Sequence, residues 1–509
     1  MNTVVRTLLT SRGFHLGMGG FLLCVYALRV LLFPGASEDD AEQLFYAQSL
    51  VGGYKPGQPP LYTWIVYVIT QITGPTLPVV VAIKFIFLGA IYGLSYRIAR
   101  LMGCLEGWAA FAGFSVFGLY YIGWDSVLNY SQTVLMAALC LAAIHALARI
   151  MNGKTGWVDF LYFGLIMGCG LMTKYNFALF LIALLVAGLM DRDLRRVLLR
   201  PKGLSVLVLA GLIFLPHGLW LLGGAVDAND LSKAMTPTDR GALSARFDGL
   251  MDMVDAVASI LSPLLIFYAL IFPKSFKPID PELDSTRRGL LLLNRGGIII
   301  LVLMALMIIV SGVTSVRNHW FIVLIAFPVY GTLRISEVYR DLEGARVIGY
   351  IKLLILLAAV VMIVLGGRAW QGPDRCSKCR LIVPYSQLAD QVRDAGFEHG
   401  TIITADYPSQ VGGNLRRYFP DSRFISTRFK LYNPPMRNSD TGQCLAVWHM
   451  GPSQTQNLKQ MQSALKNRLG VNLRDTDHMQ TADVTLSGDT VMQFGFMLIN
   501  DPARQGTCR

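Results

Sequence analysis

Long apolar stretches recur along the whole chain and set the first limit on its fold. They lie near residues 14–34, 60–73, 76–98, 107–123, 127–148, 157–173, 176–190, 204–222, 252–273, 290–311, 319–333 and 348–367. A helix of about 20 apolar residues spans a bilayer, and in lipid the helix satisfies its own backbone groups. With 53% hydrophobic and 15% charged residues, the chain is too apolar for a soluble multidomain protein. The pattern predicts a polytopic α-helical membrane protein.

The basic residues indicate how the spans are oriented. The stretch 60–73 is short for a span and follows Pro59, which predicts an interfacial juxtamembrane helix and about 11 transmembrane helices. With that count, the basic loops share the side of the N-terminus, as expected for cytoplasmic loops. They contain Arg6 and Arg12, Arg97 and Arg100, Arg149 and Lys154, residues 191–202, residues 273–288, and Arg334 and Arg340. These loops account for the net charge of +12, and no nucleic-acid partner is expected.

The chain changes character near residue 370, where polar residues become frequent. TIITAD, SRFIST, CLAVWHM and VMQFGFMLI have strand composition, while YSQLADQVRDAG, SQVGGNLRRYF and TQNLKQMQSALKNRL have helical periodicity. We predict a transmembrane domain over 1–369 and a small α/β domain over 370–509. In a bacterial inner membrane, the N-terminus would be cytoplasmic and the α/β domain periplasmic.

Cysteine usage agrees with that orientation. Four cysteines lie in apolar spans, where they act as small hydrophobes, and the other four, Cys376, Cys379, Cys444 and Cys508, lie in the polar part. An even number there predicts two disulfides in an oxidising compartment. The alternative for Cys376 and Cys379 is half of a zinc site or a cytosolic redox motif.

Acidic residues follow the first apolar stretch directly. Asp39 and Asp40, with Glu38 and Glu42, come after Pro34 and begin a short predicted helix. Acids in a first turn stabilise the helix dipole, which is the structural explanation. The catalytic explanation is that a carboxylate held beside the bilayer removes a proton from an acceptor hydroxyl.

The segment GYKPGQPPLYTW, residues 53–64, then leads to the interfacial helix. Its two consecutive prolines forbid a helix before them and favour one after them. Tyr62, Trp64 and Tyr67 supply the aromatic residues typical of a membrane interface.

Three basic residues are predicted on the outer face, against the usual bias. They are Lys84, Lys174 and Arg317, the last followed by His319. Together such groups can neutralise a phosphate on a lipid carrier, with Arg adding bidentate geometry. The alternatives are anchoring to lipid headgroups and, for Lys84, extension of its side chain to the membrane surface.

Asp125 is a second acid at a predicted outer turn. It is expected either to cap the span that follows or to serve in catalysis or metal binding. A divalent cation is left open as a cofactor, and no metal ligands are assigned.

The motifs, in this order, resemble a known family. The acid pair, YAQSL…GY…PPLYTW, LMTKYNFALFL, VRNHWFIVLIAFP and ITADYPSQVGGNLRRYFPDSRF are similar to motifs of the GT-C glycosyltransferases of the family 39/83 type. That group includes protein O-mannosyltransferases, lipid A aminoarabinose transferases and rhizobial lipopolysaccharide galacturonosyltransferases. The resemblance implies the GT-C fold and inverting sugar transfer from a polyprenyl-phosphate donor to lipopolysaccharide core, lipid A or another envelope acceptor. The rhizobial likeness favours a uronic acid.

The resemblance also implies roles for individual residues. Asp39 matches the general base, with Asp40 as its neighbour, and Lys174 and Arg317 match residues that hold the donor phosphate. Two positions depart from the family pattern. Gln58 occupies the position where the family commonly has a lysine, and the nearby Lys55 can reach the same place. Gln132 occupies the position where the family often has an aspartate, and Asp125 lies earlier in the chain. His319, Lys84 and Lys55 are added as donor-phosphate candidates. Substrate contacts are expected from Glu42, Gln58, Tyr62, Asp125 and Tyr175.

Two other functions compete with transfer. A lipid-linked sugar flippase or transporter would use charges deep within its spans, and few are present apart from Lys84. A scaffold or sensor would leave the acids and basic residues unexplained. The polar loop 223–251 is expected to order over bound substrate.

Overall fold

The computed structural model describes residues 2–223, 242–311, 317–370, 380–405, 410–436, 443–450, 454–472, 478–487 and 490–499. Within these ranges, six helices are long and apolar enough to cross a membrane. They are Ser11–Leu32, Leu77–Leu101, Ser131–Met151, Pro201–Leu222, Asp284–Ser311 and Ala345–Trp370. A bent pair, Asn318–Leu324 with Phe327–Tyr339, would make a seventh span. The protein is therefore a multi-pass membrane protein, while the predicted number of 11 crossings stays a prediction.

Shorter helices complete the apolar part of the chain. They are Asn2–Leu8, Glu38–Tyr46, Leu61–Thr73, Glu106–Ser115, Tyr120–Gly123, Trp157–Leu171, Asn176–Leu189, Arg192–Leu198, Ala242–Leu261 and Leu264–Ile271. Short 3-10 turns cover Val116–Gly118, Asp125–Val127 and Pro273–Phe276. The Leu61–Thr73 helix has the short length predicted for an interfacial helix.

Three predicted apolar stretches are broken rather than continuous. The stretch 252–273 is interrupted at Pro263, and 319–333 bends by 44° before Pro328. Proline lacks the amide hydrogen that a helix interior needs and collides with the preceding turn. The stretch 107–123 passes through a 3-10 turn at Val116–Gly118, a break without a proline.

The described contacts divide the chain into two compact units. The first contains Met1–Cys24, Pro56–Leu61 and Lys84–Val361. In it, Gly164 and Gly168 of Trp157–Leu171 lie close to Pro201–Leu222: a Cβ on Gly168 would lie 2.7 Å from the Cβ of Ile213. Small residues at this spacing let membrane helices pack closely.

The second unit contains Val25–Lys55, Tyr62–Ile83 and Met362–Arg509. It joins the C-terminal part of the chain to segments from the N-terminal part. The predicted division at residues 369 and 370 separates these segments, and that division stays a prediction.

A five-stranded sheet forms the centre of the second unit. Its strands are β1 Gly400–Ala405, β2 Arg423–Ser426, β3 Gln443–His449, β4 Gln480–Ser487 and β5 Thr490–Ile499. The order is β2-β1-β3-β5-β4, with β1 parallel to β2 and β3, and β5 antiparallel to β3 and β4. Helices Tyr385–Asp394, Val411–Leu415 and Gln454–Leu469 occupy the segments in which the sequence predicts helices.

Strand β4 was not predicted. Its sequence QTADVTLS carries only two buried apolar side chains, Ala482 and Val484. Such a weak alternation of apolar and polar residues gives little signal for a strand. Among the described strands, β4 pairs with β5 alone.

The helix Glu38–Tyr46, called here the acid helix, contributes to the core of this unit. Phe45 and Tyr46 are buried against Phe429 and Tyr432, with ring centroids 4.9–5.9 Å apart. Buried aromatic pairs add to the stabilisation from area burial. The acids at the other end of this helix are therefore fixed relative to the sheet.

Candidate active site

The acid helix begins with a regular N-cap. The side chain of Ser37 accepts a hydrogen bond from the backbone N–H of Asp40 at 3.2 Å. Glu38, Asp39 and Asp40 then occupy the first turn, where the positive end of the helix dipole stabilises negative charge. Asp39 is half-buried and Asp40 is fully buried.

Arginine side chains compensate the acids on either side of Asp39. Glu38 forms ion pairs with Arg380 and, at 3.1 Å, with Arg428. Burial alone would raise the pKa of Glu38, but the two guanidinium groups outweigh it and lower that pKa below its ordinary value. Glu38 therefore stays ionised near neutral pH.

Asp40 faces a different arginine. Arg29, which is fully buried, donates hydrogen bonds to the carbonyl oxygens of Phe33 at 3.0 Å and Gly35 at 2.8 Å. Its charge also interacts with the carboxylate of Asp40. Asp40 thus helps to compensate a buried cation where the first span ends, and Asp39 is the more accessible of the two aspartates.

Two predicted binding residues are paired with each other. Lys55 Nζ lies 2.6 Å from Glu42 Oε1, so each charge already has a partner. Tyr62 is fully buried, and the neighbouring Thr63 donates a hydrogen bond to Gln43 Oε1 at 2.6 Å. These contacts join the acid helix to the start of the predicted interfacial helix.

The proline-rich segment 56–61 is held in the first unit. The backbone N–H of Leu61 donates to the carbonyl of Met172 at 3.0 Å, and Tyr175 Oη donates to the carbonyl of Pro56 at 3.0 Å. Tyr175 Oη also lies 3.0 Å from Nε2 of His217, which is fully buried. His217 was missed because nothing near it in sequence indicated this contact. Gln58, within this segment, is half-buried.

Three of the predicted donor-phosphate residues come together in the first unit. Lys174 Nζ donates to Thr133 Oγ1 at 2.7 Å, and the charges of both Lys174 and Arg317 act on His319. The amide of Asn176 donates to the carbonyl of Trp320 at 2.9 Å, which joins the two helix starts that carry these residues. Lys174 and Arg317, with the imidazole of His319 beside them, are called here the cation cluster. Arg317 is its most exposed member.

Lys84 differs from the other predicted cations. Its side chain is fully buried within Leu77–Leu101. The alternative that it extends to the membrane surface is therefore wrong.

Asp125 does not cap the span that follows it. The N-cap position of Ser131–Met151 is Tyr130, which has a left-handed conformation with φ of 65°. Asp125 instead opens a 3-10 turn and accepts a hydrogen bond from Asn129 Nδ2 at 2.9 Å. Nearby, Gln132 is buried, and its Oε1 has no hydrogen-bond partner within the described part of the chain.

Several other predictions concern residues that lie partly or wholly outside the described ranges. Cys444 is disulfide-bonded, whereas Cys376, Cys379 and Cys508 lie outside the described residues. Of the loop 223–251, residues 224–241 also lie outside them, and the remainder includes the start of Ala242–Leu261. Among the described side chains, no group of three or more His, Cys, Asp or Glu is placed to hold a metal ion.

An apolar cavity of about 260 Å³ lies within the first unit. Its lining includes Phe180, Leu184, Leu261, Leu301 and Phe327, with Asn294 and Tyr330 as polar groups. Gly297 also lines it, and a Cβ added there would meet open space.

Comparisons with known proteins agree on one class of enzyme. A family model described as dolichyl-phosphate-mannose-protein mannosyltransferase matches residues 57–220. The lipopolysaccharide core galacturonosyltransferase RgtA of Rhizobium johnstonii is 29% identical, over 84% of this chain and 86% of the relative. RgtB of the same organism, with the same description, is 27% identical over 91% of this chain and 92% of the relative.

The fold is also that of a solved structure. ArnT from Cupriavidus metallidurans bound to undecaprenyl phosphate matches with a TM-score of 0.57 at 14% identity, covering 98% of this chain and 100% of that chain. Its apo structure matches with a TM-score of 0.56 at 13% identity, over 97% of this chain and 99% of that chain. These matches confirm the predicted GT-C fold with a small C-terminal sheet domain. The family model and the two relatives support glycosyltransferase activity, and the match to ArnT shows the GT-C fold.

Proposed function

We propose that this protein transfers a sugar from a polyprenyl-phosphate donor to a lipopolysaccharide-type acceptor, at the periplasmic face of a bacterial inner membrane. The observation that carries the proposal is the cation cluster, which supplies the charge that a lipid-linked phosphate needs. The undecaprenyl phosphate bound in the ArnT structure supports the donor class. The descriptions of RgtA and RgtB support a lipopolysaccharide core acceptor and galacturonic acid as the sugar.

The proposed reaction is a single inverting displacement. Asp39 accepts the proton of an acceptor hydroxyl while that oxygen forms a bond to the anomeric carbon. The bond from the anomeric carbon to the donor phosphate oxygen breaks, and its electron pair stays with the phosphate. Lys174 and Arg317 stabilise the charge that develops on the leaving phosphate. Asp39 is preferred over Asp40 because Asp39 is half-buried whereas Asp40 is fully buried.

Asp39→Asn should reduce transfer by a factor of about 10² to 10⁴, because the amide cannot accept the hydroxyl proton. Purified protein would receive a labelled polyprenyl-phosphate uronic acid and a lipid A-type acceptor, and both products would be quantified. Wild type should release free polyprenyl phosphate and glycosylated acceptor in equal amounts. Asp390→Asn, at an exposed acid paired with Arg393, is the control and should behave as wild type.

Two results of this assay would contradict the proposal. Full transfer by Asp39→Asn would remove its role as the base. Movement of the intact donor across a bilayer, without free polyprenyl phosphate, would favour the flippase.

Lys174→Gln and Arg317→Gln should each raise the KM for the donor by about 10-fold or more, since a charge-assisted hydrogen bond contributes about 1.5–3 kcal/mol. Steady-state kinetics over a range of donor concentrations measures this change. Arg192→Gln removes an exposed arginine elsewhere in the first unit and should leave the donor KM unchanged. An unchanged KM in both cluster variants would exclude the cation cluster as the phosphate site.

The prenyl chain of the donor is proposed to occupy the apolar cavity. Filling the cavity with Gly297→Phe should therefore raise the KM for a donor with a full-length prenyl chain much more than for one with a short chain. The size of the effect with donors of several chain lengths is the measurement. Gly349→Phe is the control, because Gly349 is exposed and a Cβ there meets nothing within 4 Å. Equal effects on long and short donors would place the prenyl chain elsewhere.

The orientation is a further part of the proposal, with residues 1–369 as the catalytic transmembrane domain and 370–509 as the periplasmic domain. In a variant without the exposed Cys24, cysteines would be introduced at the exposed positions of Arg196 and Lys430. A membrane-impermeant maleimide added to cells with a permeabilised outer membrane should label Lys430→Cys and not Arg196→Cys. The reverse pattern would invert the topology.

A further inference from the structure

The C-terminal part of the second unit holds the acid helix at its beginning. The backbone N–H of Ala36 donates to Asn414 Oδ1 at 2.8 Å, and Arg417 donates to the carbonyl of Pro34 at 2.8 Å. Asn414 is fully buried. Both partners come from the segment 411–417, called here the clamp segment, which is about 380 residues away in sequence.

The clamp segment also lies directly against the middle of the acid helix. A Cβ added to Gly413 would lie 1.9 Å from the carbonyl oxygen of Ala41. Only glycine permits backbones to approach this closely. The two backbones are therefore in contact, with no side chain between them.

Arg416 holds the other end of the acid helix. Its guanidinium, almost fully buried, donates to the carbonyl of Leu44 and, at 2.5 Å, to the carbonyl of Ala47. The last carbonyls of a helix have no partners within the helix and form its negative end. A buried cation that donates to two of them fixes the position and direction of the helix axis.

We infer that Arg416 is a positioning residue, which acts through the acid helix to hold Asp39 in the geometry needed for catalysis. This inference depends on the proposed role of Asp39 as the base. Asp39 lies five residues before Leu44, so a tilt of this nine-residue helix at its C-terminal end displaces the carboxylate at its start. Arg416 itself would touch neither donor nor acceptor. A displacement of about 1 Å at a reacting group can cost about 10² in rate.

The test compares Arg416→Gln with a matched control in the same unit. Arg468 also donates from its guanidinium to two backbone carbonyls, of Ser426 at 2.7 Å and Tyr432 at 2.7 Å. Neither carbonyl belongs to the acid helix. Arg416→Gln should lower kcat by about 10- to 100-fold and leave the donor KM unchanged. Arg468→Gln should leave kcat near that of wild type.

Arg416→Lys provides a second measurement. A lysine keeps the charge and can donate to at least one of the two carbonyls, so it should recover part of the lost kcat with a melting temperature near that of wild type. Where Arg416→Gln does not fold, the kcat of Arg416→Lys relative to Arg468→Lys decides the question. An unchanged kcat for Arg416→Lys would then overturn the inference.

Other outcomes separate this inference from the proposed function. Normal kcat in folded Arg416→Gln, or an equal loss in Arg468→Gln, would overturn the positioning role while wild type still transfers sugar. Absence of transfer by wild type, or full activity of Asp39→Asn, would overturn the proposed function, and the positioning role with it.

Discussion

Compensation of buried charge is the constraint on which the acid helix depends. Three acids within its first turn repel one another, and a helix dipole offsets only part of that cost. Basic side chains meet this requirement: Arg380 and Arg428 for Glu38, and Arg29 for Asp40. The same requirement explains the short contact between Lys55 and Glu42. Asp39 thus lies between two acids whose charges are compensated by the protein.

In the cation cluster, positive rather than negative charges lie close together. Lys174 finds a neutral partner in Thr133, and Arg317 remains exposed. A neutral hydroxyl satisfies one N–H donor of Lys174 and by itself cancels none of its charge. The proposed ligand, a lipid-linked phosphate, is anionic, and its oxygens can accept hydrogen bonds from both lysine and arginine.

Sequence patterns predicted the regular parts of this structure well. Hydropathy located most of the apolar helices, and periodicity located four of the five described strands, because each signal is local. Local patterns failed where a break has no proline, as at Val116–Gly118, and where alternation is weak, as in β4. The cap expected of Asp125 was wrong because the left-handed conformation of Tyr130 starts the next helix.

Contacts between distant parts of the chain could not be predicted in this way. Arg380 and Arg416 looked like ordinary residues of a polar segment, yet each binds the acid helix across more than 340 residues of sequence. The contacts of Tyr175 with the carbonyl of Pro56 and with His217 were not foreseen, and its expected role in substrate binding stays a prediction. A single sequence shows which residue types are present, but not which of them lie close enough in the fold to contact one another.

These long-range contacts also indicate the structural role of the sheet in the second unit. An isolated helix of nine residues is unstable in water, because nucleation costs more than so few hydrogen bonds recover. The acid helix therefore needs tertiary contacts, and it receives them from Phe429, Tyr432 and the clamp segment. A division of the chain by sequence alone would assign the acids to the membrane domain and the residues that hold them to another domain. Since the acid helix and the sheet share one core, the sheet is better regarded as the support of the acids than as an appended module.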